Sequence, residues 1–215
     1  MTRKQRRSKP KHHSNESRVP KHGQSWLRII GGQMRGRKLV YTGDPGVRPM
    51  KERIREAVFN LVGPRIAGKH AFDLFAGTGA LGLESISRGA SRATMIERHY
   101  PTARVVRDNI KALGVEASAE VVSGDTFVWA SQLPDMGPTP WAVFCSPPYR
   151  LYQDQRKELL DMIAKLFSVA PAGSLFVVES DATFDFTDLP HGDQWDVRQY
   201  PPAVVGLISL PDADD

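Results

Sequence analysis

The sequence predicts an α/β fold: a mostly parallel, seven-stranded sheet with helices on both faces, preceded by an N-terminal β-hairpin. Three observations predict it. From His70 onward, short apolar runs alternate with longer helical stretches, the pattern of a doubly wound sheet. The first of these runs opens into a glycine loop, FDLFAGTGALG, as strand-to-helix turns in such sheets do. Ahead of it, LRIIGGQMRGRKLVYTG sets two apolar stretches around a Gly-rich basic turn, which reads as a hairpin with Arg35, Arg37 and Lys38 near its bend.

Taken in order, residues 1–25 lack any apolar period and are too polar to bury the surface that ordering requires, so a disordered basic arm is expected there. The hairpin follows over residues 26–47, and the sheet domain over 48–211. After Arg48-Pro49, KERIREAVFNLV places Ile54, Val58, Leu61 and Val62 at helical spacing, with Arg53 and Arg55 on the charged face. The expected strands are AFDLF, ATMIE, AEVVS, WAVFC and SLFVVE, then a pair around VRQY and AVVGLISL. Helices are expected at roughly 80–88, 101–113, 126–133 and 154–167. No helix separates the last two strands, so they should form an antiparallel hairpin at one sheet edge.

Composition narrows the function. The single cysteine, Cys145, excludes an intramolecular disulfide framework and any multi-cysteine zinc site. The six histidines show no ligand spacing, so no metal is expected. No apolar run approaches the roughly 18 residues of a membrane span, and the N-terminus lacks the apolar core of a signal peptide. A cytoplasmic protein without a membrane partner is the expectation. Charge is unevenly spread: residues 1–40 carry 12 Lys/Arg against one acid, Glu16, whereas residues 179–215 carry one against nine. The basic end points to a polyanion.

On a doubly wound sheet, ligands bind beyond the C-terminal strand ends, so the residues that finish each strand matter most. Gly77, Gly79 and Gly82 form G-x-G-x-x-G, and the helix start behind them offers free N–H groups to an anionic ligand group. Phe75, Ala76 and Thr78 complete the loop. Glu97 ends the second strand, 20 residues after Gly77, where an acid commonly accepts both hydroxyls of a ribose. A nicotinamide or flavin dinucleotide and S-adenosyl-L-methionine both satisfy these features. Asp73 separates them: a carboxylate four residues ahead of the first glycine suits the ammonium of a methionine moiety and offers nothing to a pyrophosphate. Its alternative role is to cap nearby backbone N–H groups. Gly124, Asp125 and Thr126 finish the third strand, with Asp125 placed either to accept from an adenine amino group or to cap the next helix.

WAVFC runs directly into Ser146-Pro147-Pro148-Tyr149. The Pro-Pro pair makes a stiff, extended bend at the site-bearing sheet edge. Rigidity there suits methylation of a purine amine, whose lone pair is delocalised into the ring. Acceptors that hold its N–H groups favour pyramidal nitrogen and stabilise the developing cation. The Ser146 hydroxyl and the Pro147 carbonyl supply two neutral acceptors, and Tyr149 a ring on which the base stacks. Cys145 is expected to point into the core.

The chain resembles the RsmD-type small-subunit rRNA guanine-N2 methyltransferases from about residue 28 to residue 210. The resemblance rests on RIIGGQMRGRKL, VRP-x3-RIREAVFN, DLFAGTGALGLESISRGA, the strand ending in Glu97, VVSGD and PPY. It implies a Rossmann-like class I methyltransferase domain, S-adenosyl-L-methionine as donor, and a guanine amine of 16S rRNA, free or in an assembling 30S particle, as target. It also implies that the N-terminal hairpin assists RNA binding. Two positions depart from the family pattern: Ser146 stands where Asp usually opens the tetrapeptide, and Met50 where Thr usually follows Arg-Pro. The first removes a charged acceptor, and charge-assisted bonds are about twice as strong as neutral ones. Two other readings follow: an adenine-N6 methyltransferase of DNA or RNA, and an rRNA-binding assembly protein with weakened catalysis. The phosphate contacts expected are Arg28, Arg35, Arg37, Lys38, Arg48 and Arg53, and a monomer is expected.

Overall fold

The computed structural model describes residues 25–43 and 49–213. The basic arm expected at the N-terminus lies outside these residues up to position 24, as does Arg48. Strands β1 (Ser25–Arg28) and β2 (Lys38–Tyr41) pair antiparallel, with Trp26 opposite Val40. The central sheet comprises β3 (His70–Asp73), β4 (Arg92–Glu97), β5 (Ala119–Ser123), β6 (Trp141–Cys145), β7 (Leu175–Asp181), β8 (Asp196–Tyr200) and β9 (Ala203–Ser209). Their spatial order is β5-β4-β3-β6-β7-β9-β8. All neighbours run parallel except β9, which is antiparallel to both β7 and β8.

Helices cover both faces, as a buried parallel sheet requires. On one face α1 (Glu52–Val62), α2 (Ala80–Ser87) and α3 (Tyr100–Leu113) set Ile54, Leu83 and Val106 against Ala71, Ala93 and Phe144. On the other, α4 (Thr126–Ser131), α5 (Leu151–Asp154) and α6 (Arg156–Val169) set Ala130, Tyr152 and Leu159 against Phe72, Val143 and Phe176. Alternation along each strand therefore feeds two separate cores.

Two local expectations are corrected. The helix expected at 154–167 begins earlier and is broken, because Gln155 leaves the helical region (φ −138°, ψ 39°) between α5 and α6. The short α5 is tied directly to the Pro-Pro bend, since Leu151 N–H donates to the Pro148 carbonyl at 2.8 Å. Arg55 does not share the exposed face of α1 with Arg53. It is only 1% exposed, because it stands four residues before Phe59 and seven before Val62 and so flanks the buried stripe.

The burial of Arg55 explains how the small hairpin sheet is held. Its guanidinium donates to the Arg28 carbonyl at 2.6 Å and lies 3.7 Å from Glu84. Glu84, fully buried on α2, also accepts from the Ile30 and Gly31 N–H groups at 2.8 and 2.7 Å and from Arg88 at 2.8 Å. Gly32 has φ +74°, and a Cβ there would stand 1.8 Å from the Ser87 carbonyl oxygen, so only glycine permits this approach. Asn109 on α3 completes the attachment by exchanging two hydrogen bonds with the Val40 backbone. The motif RIIGGQM is thus a docking surface for the helix that follows the glycine loop.

Candidate active site

The ends of β5, β4, β3 and β6 lie side by side, so the residues that finish them meet along one edge. Asp73 ends β3 and is 1% exposed. Its Oδ2 accepts from the Gly82 N–H at 3.2 Å, while Oδ1 is buried with no hydrogen-bond partner among the described residues. Desolvation pushes its carboxyl up to about 7, the Gly82 hydrogen bond opposes the shift, and the neighbouring Glu97 charge adds to it. One oxygen therefore performs the capping role, and the other is an acceptor that still lacks a donor.

Above Asp73 the chain turns through Phe75 and Ala76 into the glycine loop. Gly79 caps α2 in the left-handed region (φ +73°), where a Cβ would stand 2.5 Å from Val106. The loop therefore sits tightly on α3. Glu97 bridges two backbones, accepting from Gly77 N–H at 2.8 Å and His99 N–H at 2.7 Å, one on each oxygen. A carboxylate offers about four acceptor positions, so two remain beyond those used here. Thr78 is buried at the start of the turn.

At the end of β5, Gly124 N–H donates to the Glu97 carbonyl at 3.1 Å, drawing this turn against β4. Asp125 caps α4, its Oδ1 accepting from Phe127 and Val128 N–H groups at 2.8 and 3.3 Å. Thr126 spends its hydroxyl on the Leu74 carbonyl and is buried. Phe75 and Phe127 meet edge to face, with centroids 6.1 Å apart, so the β3 and β5 turns share an aromatic contact.

The tetrapeptide follows β6. Cys145 is buried in the core, where desolvation pushes its thiol well above the usual range. Pro147 is buried, Ser146 and Tyr149 are half-buried, and Pro148 is exposed. The Ser146 oxygen is not an isolated neutral acceptor: its hydroxyl donates to Glu179 Oε2. The Tyr149 hydroxyl donates to Glu179 Oε1 at 2.9 Å, and the Tyr152 hydroxyl to the Glu179 carbonyl at 2.7 Å. Burial and the Glu179 charge raise the Tyr149 phenol above its ordinary range. Sequence reasoning missed Glu179, although the signal was there: SLFVVE ends in an acid just as ATMIE does. Met50, from the segment before α1, lines a recess beside Ser146 and Glu179 that is too narrow for a water molecule.

The basic candidates are spread over the hairpin and α1. Arg28 pairs with Glu52 at 3.1 Å, and Arg37 donates to the Ala112 carbonyl at 2.9 Å. Lys38 lies 3.4 Å above the Trp26 ring, and Arg53 donates to the Pro201 carbonyl. Arg35 is exposed on the loop between β1 and β2. All five keep exposed side chains, and Glu52 offsets part of the Arg28 charge.

Comparison with known proteins matches this architecture to one family. The family model described as "Conserved hypothetical protein 95" covers residues 27–200. Ribosomal RNA small subunit methyltransferase D of Escherichia coli is 41% identical over 132 residues, which span 61% of this chain and 65% of that relative. The solved structure of the Escherichia coli protein yhhF superposes with a TM-score of 0.69 at 30% identity, covering 87% of this chain and 99% of that one. The T. thermophilus 16S rRNA N2 G1207 methyltransferase shares the fold at 16% identity, with a TM-score of 0.66, covering 87% of this chain and 50% of that one. The sheet order and helices are accordingly those of a Rossmann-like class I methyltransferase, and the chain belongs to the conserved hypothetical protein 95 family, that of the RsmD-type proteins.

Proposed function

We propose that this protein transfers a methyl group from S-adenosyl-L-methionine to the exocyclic N2 amine of a guanine in small-subunit rRNA. The observation that carries the reading is the meeting, on adjacent strand ends, of an unpaired buried carboxylate oxygen, a glycine loop and a rigid acceptor-bearing bend. Asp73 Oδ1 fits the donor's ammonium, which would supply the missing hydrogen bond. Phe75, Ala76, Gly77, Thr78 and Gly79 would hold the methionine moiety, Glu97 the ribose, and Gly124, Asp125 and Thr126 the adenine side. The donor supplies an electrophilic methyl on a sulfonium.

The chain's own residues do the rest. Ser146 and the Pro147 carbonyl accept from the guanine amine, and Tyr149 offers the stacking face. The recess that Met50 lines beside Ser146 is too narrow even for water, so a base entering from that side needs Met50 to move aside. The hairpin and α1 supply Arg28, Arg35, Arg37, Lys38, Arg48 and Arg53 to phosphates. The enzyme works as a monomer in the cytoplasm; among the described residues no helix is long and apolar enough to cross a membrane.

The direct test incubates the protein with methyl-labelled donor and small ribosomal subunits lacking the modification, followed by nucleoside analysis. Labelled N2-methylguanosine is the expected product. Labelled N6-methyladenosine would instead identify an adenine enzyme, and donor binding without turnover would identify an assembly factor.

A further inference from the structure

We infer that Glu179 is a positioning residue of the methyl-transfer site, fixing the Ser146 hydroxyl as a one-way acceptor and serving as the final seat of the proton that the target amine loses. The inference rests on the functional reading above and extends it to a residue on a different strand.

A serine hydroxyl is ambiguous, since it can donate or accept. Toward a purine N1, N3 or carbonyl it would donate; toward an amine it would accept. The structure removes that choice, because the only hydrogen on Ser146 Oγ is directed to Glu179 Oε2. Its lone pairs alone are left for an incoming base, and they are made more negative by a bond to an ionised partner. Glu179 is 9% exposed, so its charge is little screened. Its other oxygen takes the Tyr149 hydroxyl at 2.9 Å, and its carbonyl takes Tyr152 at 2.7 Å. The same side chain therefore orients both the acceptor and the stacking ring. Strand order makes this possible: Cys145 and Val178 are paired partners on β6 and β7, which sets Ser146 beside Glu179.

The step balances as follows. The amine nitrogen bonds the methyl carbon while the carbon–sulfur bond breaks and its electron pair stays on sulfur. The nitrogen then gives one proton to Ser146 Oγ, the serine's own proton passes to Glu179 Oε2, and the carboxylic acid later releases it to water. Without the carboxylate, the hydroxyl would have to pass that proton straight to water.

Three variants test this: Glu179→Gln, Glu179→Asp, and Ser146→Asp combined with Glu179→Gln, which moves the carboxylate to the bend. With small subunits as substrate, Glu179→Gln is expected to lower kcat by about 10- to 100-fold, the loss of one charged hydrogen bond. KM for subunits and S-adenosylhomocysteine affinity by calorimetry should stay within about twofold. Glu179→Asp, which keeps the charge but not the reach, should lose rate in the same sense. The double variant should recover most of kcat. In donor-free protein, ultraviolet titration should show Tyr149 ionising at lower pH in Glu179→Gln than in the wild type, with Tyr149→Phe identifying the signal. Wild-type turnover in Glu179→Gln would overturn the inference, as would loss of S-adenosylhomocysteine affinity in parallel with rate, or no recovery in the double variant. Should Glu179→Gln not fold, Glu179→Asp decides: reduced kcat with S-adenosylhomocysteine affinity unchanged supports the inference, and wild-type turnover overturns it. If the wild type transfers no methyl to subunits, the functional reading fails instead, while the tyrosine titration still reports the Glu179 contact.

Discussion

In the proposed site, Asp73 is a residue that trades stability for binding. Its carboxyl is held at about 7, mainly by desolvation, whereas an unfolded chain would hold it near 3.8. Between those values the folded state binds more protons than the unfolded state, so this group makes the protein less stable as pH rises through the interval. Asp73→Asn removes the buried charge while keeping an oxygen for Gly82. Its thermal unfolding temperature at pH 8 should therefore exceed that of the wild type, while S-adenosylhomocysteine affinity falls by about tenfold or more through loss of a charge-assisted bond. Calorimetry and thermal melts on one preparation check both halves. Donor affinity in the wild type should rise with pH through about 7, since the ammonium needs an ionised partner. Asp73 could be singled out from its place before the glycines; that only one of its oxygens is satisfied could not, because this depends on where α2 begins relative to the strand end.

At the scale of elements, the hairpin and α2 are joined by a buried ion cluster. Glu84 faces Arg55 and Arg88, and burial lowers the Arg55 guanidinium from its ordinary range. Removing one partner from such a cluster leaves an uncompensated charge, which costs about 3–5 kcal/mol. Glu84→Gln should show that loss in denaturant unfolding, nearly independent of salt because the cluster is screened from solvent. A salt-sensitive loss, or none, would contradict the docking described here. A second element-level test concerns β3. His70 hydrogen-bonds Thr94 at 2.9 Å and stacks on Phe72 with centroids 4.1 Å apart; desolvation and the nearby Arg92 lower its pKa to about 4. Below about 6.5 the unfolded chain takes up a proton that the folded chain refuses, so stability declines as pH falls from there toward 4. Thermal melts across that window should show the decline, and His70→Gln should reduce it. Helix periodicity placed α1 but misjudged Arg55, because a residue at the border of an apolar stripe is exposed or buried according to what docks beside it.

For the whole molecule, the distribution of charge separates two tasks. The hairpin presents Arg35, Arg37 and Lys38 with exposed side chains, while the residues proposed to bind the donor gather at the C-terminal strand ends. Phosphate contacts release counterions, and each lost contact lowers the slope of log K against log salt by about 0.7–0.9. The variant Arg35→Gln, Arg37→Gln and Lys38→Gln combined should reduce that slope by about 2 for an rRNA fragment, with S-adenosylhomocysteine affinity unchanged. An unaltered slope would remove the hairpin from the RNA surface.

The alternation of apolar runs and helical stretches by itself determined the layered α/β class and the seven strands. Those are properties of local period and of short motifs, which a chain carries wherever it folds. Only the tertiary structure decided that Ser146 is paired with Glu179, 33 positions away, and that Arg55 and Glu84 meet inside the protein. Both pairings depend on which strands become neighbours and on which side chains lose their water, and those outcomes arise from packing among distant segments that no local pattern encodes.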